Sequence, residues 1–118
     1  MILRFDYAGT RVMFTGDAEH EPDAPILAWG ERLHSDLLKV AHHGSRTWST
    51  PAFVSGVDPD IAIISVWLFN KFNHPADVVM ELHRRSGTRI HRMDRCGAVL
   101  VTLGGGTRSV EPVLDEGC

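Results

Sequence analysis

Cysteine is scarce in this 118-residue chain: Cys96 and Cys118 are the whole supply. Two sulfurs make neither a disulfide framework nor a zinc-ligand cluster, and they leave the redox compartment open. Long apolar runs are missing as well. The longest, such as Ile61 to Phe69, fall far short of the roughly 20 residues that a membrane span requires. The amino terminus lacks the charged, apolar, small-residue order of a secretory signal, so the chain itself reads as soluble. A strong excess of one charge is absent: the net charge of -3 gives no global attraction to nucleic acid, and any such contact must be local. No repeat, low-complexity tract or linker divides the chain, so residues 1–118 read as a single domain.

What is present is the patterning of a globular α/β protein, with 43% hydrophobic and 23% charged residues. Ile2, Leu3, Phe5 and Tyr7, then Val12, Met13 and Phe14, flank an Ala8–Thr10 turn and predict a hairpin with a buried second strand. Ile26, Trp29 and Leu33 recur at helical spacing and predict an amphipathic helix over 24–35, weakened by Gly30. Strands are predicted at 37–41 and 61–66, the second covered on both faces. Between them Thr50 precedes a first-turn proline, Pro51, at the head of a short helix ending at Gly56. Pro75 opens the next helix, with Asp77 in its first turn and Gly87 as its stop. Ile90, 98–103 and 110–114 predict closing strands, the last two separated by Gly104–Gly106.

Three loops carry chemistry. The run Leu37 to Ala41 ends in His42, His43, Gly44 and Ser45, and side chains at such a strand end project into the crevice where α/β proteins keep their sites. Imidazole is the commonest nitrogen ligand for zinc-like ions. Neighbours on a strand point to opposite faces, so both rings reach one ion only if the chain has already left the strand. The expected division is one ligand and one supporting or substrate contact. The second loop, Thr15 to Glu19, presents Asp17 after a glycine at another strand end, a carboxylate able to bridge two divalent ions or to cap the next segment. The third, Asn70 to Pro75, sets His74 at a predicted helix N-cap, where it meets an anion or simply caps. His20, His34, His83 and His91 are expected at surface or helix positions without chemistry, and Glu19 in solvent. Arg84, Arg85, Arg89, Arg92 and Arg95 form a late basic group that either tracks a nucleic-acid backbone or is a solvated surface.

Taken together, Thr15–Glu19, Leu38–Ser45, Ser65 and Val66 with Asn70, His74 and Pro75, and Arg92–Asp94 with Gly97–Val99 occur in an order that resembles the carboxyl-terminal metallo-β-lactamase-fold domain of ComEC-type DNA-internalisation (competence) proteins. The resemblance spans almost the whole chain. It implies an α/β fold of the four-layer αβ/βα type, a mixed sheet with helices on one face, and a dinuclear site along one edge. Asp17 is then the bridging carboxylate, one of the histidine pair (His43 before His42) a ligand to one ion, and Ser45, Asn70 and His74 contacts to substrate. The catalytic set it implies is Asp17, His43 and His74, served by two divalent ions, zinc or manganese.

The departures from that pattern are as informative. The family's early His-x-His-x-Asp-His signature is missing, for no histidine precedes His20. Trp67, Asn73 and Met93 stand where the family carries glycine, glycine and threonine. Asp17, one imidazole and His74 are too few to hold two ions. The chain therefore reads as the second half of the domain: a fragment, a truncated product or a decayed copy, expected to bind metal weakly, to be inactive alone and to expose a sheet face. For the complete domain the resemblance implies metal-dependent phosphodiester hydrolysis of DNA during uptake, tethered to the bacterial inner membrane. A non-catalytic module of the same fold, and a hydrolase of a small phosphorylated or ester substrate, are the alternatives.

Overall fold

The structure is a computed structural model that describes residues 1–17, 24–114 and 118. Its centre is a five-stranded mixed sheet. Strand β1 (Leu3–Tyr7) pairs antiparallel with β2 (Thr10–Phe14), and β3 (Leu37–Lys39), β4 (Ile61–Ile64) and β5 (Arg89–Arg92) follow in parallel, in the order β1-β2-β3-β4-β5. Each parallel step needs a crossover, and these carry the helices α1 (Ala24–Leu27), α2 (Pro51–Val57) and α3 (Asp77–Arg85). A four-residue helix α4 (Met93–Cys96) leads into a separate hairpin of β6 (Val99–Gly104) and β7 (Thr107–Pro112).

Register explains the two faces of the sheet. Met13, Leu38, Ala62 and Ile90 are paired across four strands and form one row. With Val40, Ile64 and Val66 they meet Phe53 and Val57 of α2 and Val79 and Met80 of α3 in one buried cluster. Burying an aliphatic side chain this fully contributes about 1.5–3 kcal/mol, so this face holds the domain together. The alternate row points the other way. There Phe5, Val12, Phe14, Leu37 and Ile63 face Val99, Val101 and Leu103 of the hairpin across a cleft of about 350 Å³. Phe5 and Phe14 stack there at 5.9 Å yet both remain substantially exposed. The layering is a mixed sheet with α2 and α3 on one side and only a partial cover on the other.

Local chemistry sets the boundaries. The Thr50 hydroxyl accepts from the Phe53 amide at 3.3 Å and caps α2. The helix expected over 24–35 is broken: α1 stops at Leu27 and a 3₁₀ turn, Gly30–Leu33, replaces the rest, because Gly30 takes a φ of +57° that no helix accommodates. His74 is not the helix cap. Ala76 holds the N-cap position of α3, two residues further on, so the expected helix-terminus anion site does not form around His74.

Of the histidines expected at surface or helix positions, His83 and His91 are interior. His83 is fully buried and both ring nitrogens lack a partner, while His91 on β5 is almost completely buried. Burial pushes the His83 pKa down to about 4, and burial followed by the Arg89 charge lowers that of His91. The cysteines also differ from expectation. Cys96 at the end of α4 and Cys118 are joined in a disulfide across a sequence separation of 22. Backbone pairing of Leu114 with Cys96 and of Val113 with Ala98 brings the tail back to α4.

Candidate metal and substrate pocket

The ends of β2 and β3 are stitched together before any functional side chain is placed. Thr15 is fully buried and its hydroxyl donates to the Lys39 carbonyl at 2.6 Å. Directly beyond, the His42 amide donates to the Gly16 carbonyl at 3.1 Å. These two bonds bring the Gly16–Asp17 turn against the histidine doublet. Asp17 Oδ1 then stands 3.7 Å from His43 Nε2 and 4.0 Å from Lys39 Nζ.

The chain has left the strand at Val40, as joint use of both rings demands. His42 (φ 44°, ψ 50°) and His43 (φ 56°, ψ 23°) both occupy the left-handed region inside a tight 3₁₀ segment, Ala41–Gly44. Few residues other than glycine adopt it, and each instance costs on the order of 1–3 kcal/mol. The doublet is anchored at its far side by Gly44, whose φ is +84° and whose Cβ, if it had one, would lie 2.5 Å from Pro75 Cβ. The Gly44 carbonyl also accepts from the Ala76 amide at 3.0 Å, tying the doublet to the segment that carries His74.

The two imidazoles have different surroundings. His43 Nδ1 lies 2.6 Å from the Ser65 carbonyl, which accepts its proton and leaves Nε2 with a lone pair directed toward the Asp17 side. His42 turns away. Its ring centroid is 6.1 Å from that of His43 and 5.9 Å from that of His74, and its buried Nδ1 has no partner. Asp17 and His43 thus stand side by side, while the His42 ring lies beside that of His74.

His74 is held by the neighbouring asparagine. Asn70 accepts from the His74 amide at 2.8 Å and donates to the His74 carbonyl at 2.7 Å, with a further contact to the Trp67 carbonyl at 3.3 Å. Its amide is therefore occupied by backbone. Phe72 stacks on the His74 ring at 5.9 Å. Burial, then the charges of His42 and His43, lower the His74 pKa. A cavity of about 400 Å³ opens here, lined by His43, Ser65, Val66, Trp67, Asn70, Phe72, His74 and Met93. Ser45 is not part of it: the residue is buried and its hydroxyl pairs with Thr47 Oγ1 at 3.0 Å. Trp67 and Met93 line the cavity without filling it. Trp67 and Phe72 of this lining are 78% and 67% exposed, and nearby Phe69 is 94% exposed.

Sequence reasoning missed one charge beside Asp17 and one cluster elsewhere. Lys39 faces Asp17 from within an apolar strand, and a lone charge in such a run was the available signal. His91, Cys96 and Cys118 place their ligand-type atoms within 4.8 Å of one another, the sole three-residue cluster of this kind among the described residues. Spacing gave no hint of it, because the three converge only through the β5–α4 turn and the returning tail. Glu19 and His20 lie outside the described residues. Of the late arginines, Arg84, Arg92 and Arg95 share the wall of a shallow depression of about 250 Å³, and Arg92 is paired with Asp94 at 2.7 Å.

Comparison with known proteins places these features in a class. The chain is 32% identical over 117 residues to ComE operon protein 3 of Bacillus subtilis, covering 98% of this chain and 15% of that protein. It is 32% identical over 106 residues to competence protein ComA of Neisseria gonorrhoeae, covering 89% and 15% respectively. Recombination protein 2 of Haemophilus influenzae is 37% identical over 84 residues, or 70% of this chain and 10% of that protein. These similarities indicate a family of competence proteins, of whose members the chain spans about 15% of the length or less. No family model and no solved structure matches. No helix among the described residues is long and apolar enough to cross a membrane.

Proposed function

We propose that the chain is the carboxyl-terminal portion of a metallo-β-lactamase-like domain in a ComEC-type competence protein, and that the complete domain hydrolyses phosphodiester bonds of DNA during uptake. The observation that carries this reading is the Asp17–His43 pair. A histidine that ligates a metal ordinarily donates its other ring N–H to a carbonyl or carboxylate, as His43 does to Ser65. Two ligand atoms bound at about 2.1 Å to one ion stand at most ~4.2 Å apart, and the Asp17–His43 separation of 3.7 Å lies inside that limit. A carboxylate and an imidazole suit zinc or manganese.

In this reading Asp17 and His43 would hold the metal together with ligands supplied by the rest of the full-length protein. Metal held there would supply charge stabilisation for a phosphate and lower the pKa of a bound water molecule. The chain's own residues do the positioning. His74 offers a ring N–H to a phosphoryl oxygen, fixed by Asn70. Trp67, Phe69 and Phe72 offer exposed ring faces on which bases stack, and Lys71, 5.1 Å from the Phe72 centroid, adds a cation beside them. The half-covered sheet face with Phe5 and Phe14 is where the missing half packs. DNA reaches this domain through the full-length protein, at the bacterial inner membrane.

A second reading has one observation of its own. Lys39 Nζ lies 4.0 Å from the same Asp17 oxygen, where a cation already balances the carboxylate. This favours a non-catalytic module that keeps the fold for packing. One experiment separates the two. In the full-length protein carrying this chain, Asp17→Ala should abolish manganese- or zinc-dependent DNA hydrolysis with the circular dichroism spectrum unchanged. Retained hydrolysis removes Asp17 from the mechanism, and no hydrolysis by the unaltered protein leaves the non-catalytic module.

A further inference from the structure

We propose that His91, Cys96 and Cys118 form a second metal site, closed in the disulfide state and opened by reduction, for one soft divalent cation of the zinc class. It is separate from the Asp17–His43 pocket and stands whether or not that pocket is catalytic.

The geometry carries it. Nitrogen and sulfur ligands of one tetrahedral ion, bound at about 2.0–2.1 Å and 2.3 Å, stand roughly 3.5–3.8 Å apart. His91 Nδ1 already lies 3.3 Å from Cys118 Sγ, and all three candidate atoms fall within 4.8 Å. The two bonded sulfurs must separate, and the widest of the three separations must close by roughly 1 Å to reach that range. Two thiolates and an imidazole with an open fourth position are a donor set that zinc accepts, water filling the vacancy. Carboxylates take no part, which disfavours magnesium and calcium.

The surroundings match this role. Cys96 is fully buried and His91 nearly so, while Cys118 is exposed, so a reductant reaches one sulfur and a buried scaffold waits behind it. Cys118 borders the depression lined by Arg84, Arg92 and Arg95. Guanidinium groups there favour thiolate over thiol.

The chemistry balances. A dithiol reductant gives two electrons and two protons to the Cys96 Sγ–Cys118 Sγ bond, which breaks to two thiols as the reductant closes to its own disulfide. The incoming cation then displaces both thiol protons to solvent. Nδ1 of His91 donates its lone pair with the ring proton on Nε2.

The test uses the full chain in an Asp17→Ala, His43→Ala background, so that the other pocket contributes nothing. Cobalt(II) is titrated into oxidised protein and into protein reduced by a phosphine, which takes oxygen from water and leaves as its oxide. The reduced chain should develop thiolate-to-cobalt charge-transfer absorption saturating at about one equivalent and bleached by zinc; the oxidised chain should not. Zinc should protect both cysteines of the reduced chain from alkylation. His91→Gln should weaken cobalt binding at least about tenfold, in the range seen when support around a metal is lost. Absence of the band after reduction, an unchanged band in His91→Gln, or equal affinity in denaturing urea each overturns the proposal.

Discussion

His43 Nδ1 and the Ser65 carbonyl oxygen are 2.6 Å apart, which joins the turn after β3 to the residue just beyond β4 and aims the free Nε2 at Asp17. His42, one residue earlier, has no such bond and faces His74 instead. The two adjacent imidazoles should therefore respond differently to substitution. Isothermal calorimetry with manganese or zinc on reduced-disulfide-free Cys118→Ser protein should show weak binding lost in His43→Ala and largely kept in His42→Ala. Equal loss in both would make the doublet a joint ligand.

Gly44 should tolerate no side chain. A Cβ there meets Pro75 Cβ at 2.5 Å and Pro75 Cα at 3.0 Å, and the φ of +84° penalises any L residue. Overpacking and backbone strain each cost about 1–3 kcal/mol, so Gly44→Ala should destabilise by about 2–6 kcal/mol. The urea midpoint reads this directly, with the slope unchanged. A shift below ~0.5 kcal/mol would mean that the Pro75 segment moves freely.

Acid should weaken the fold through His83. Its folded pKa of about 4 lies below the ordinary 6.5, so the unfolded chain binds the proton more readily. The neutral ring's contribution is fully present above pH 6.5, declines as pH falls, and levels off below about 4. The difference amounts to about 3 kcal/mol at most. Chemical denaturation of His83→Leu across pH 7 to 4 should show a flatter profile than the parent chain; parallel profiles would place the acid sensitivity elsewhere.

Asn70 should act on the pocket through backbone alone. Asn70→Ala frees the His74 amide and carbonyl, so hydrogen exchange at the His74 amide should speed up at least about tenfold while the β2–β3 amides stay protected. Loss of two hydrogen bonds costs about 1–3 kcal/mol. Unaltered exchange at His74 would show that the loop is held by Phe72 and Trp67 instead.

The readable parts of this chain were those governed by local rules. Thr50 and Pro51 announce a capped helix start, as observed, whereas the β-branched run at Ile61 gives a strand that ends at Ile64 and is covered fully on one face only, Ile61 and Ile63 staying half-buried. Asp17 and the doublet were legible because polar residues closing apolar strands have few structural reasons to be there. Between His43 and His42 the residue pattern alone left the choice open and only the resemblance put His43 first, since the pairing depends on left-handed backbone angles and on the Ser65 carbonyl 22 residues away. His83 was expected at a surface or helix position; it lies on α3, but its place beside Val79 and Met80 turns it inward. The Cys96–Cys118 link was invisible for a similar reason: only the hairpin and tail, folding back together, bring the sulfurs into register.

The backbone of the doublet has a consequence for how this turn tolerates change. At His42 and His43 the residue that would sit most comfortably is glycine, and glycine carries no imidazole. Conformational ease and ligand chemistry thus pull against each other at adjacent positions. Any replacement that relaxes the turn disarms it.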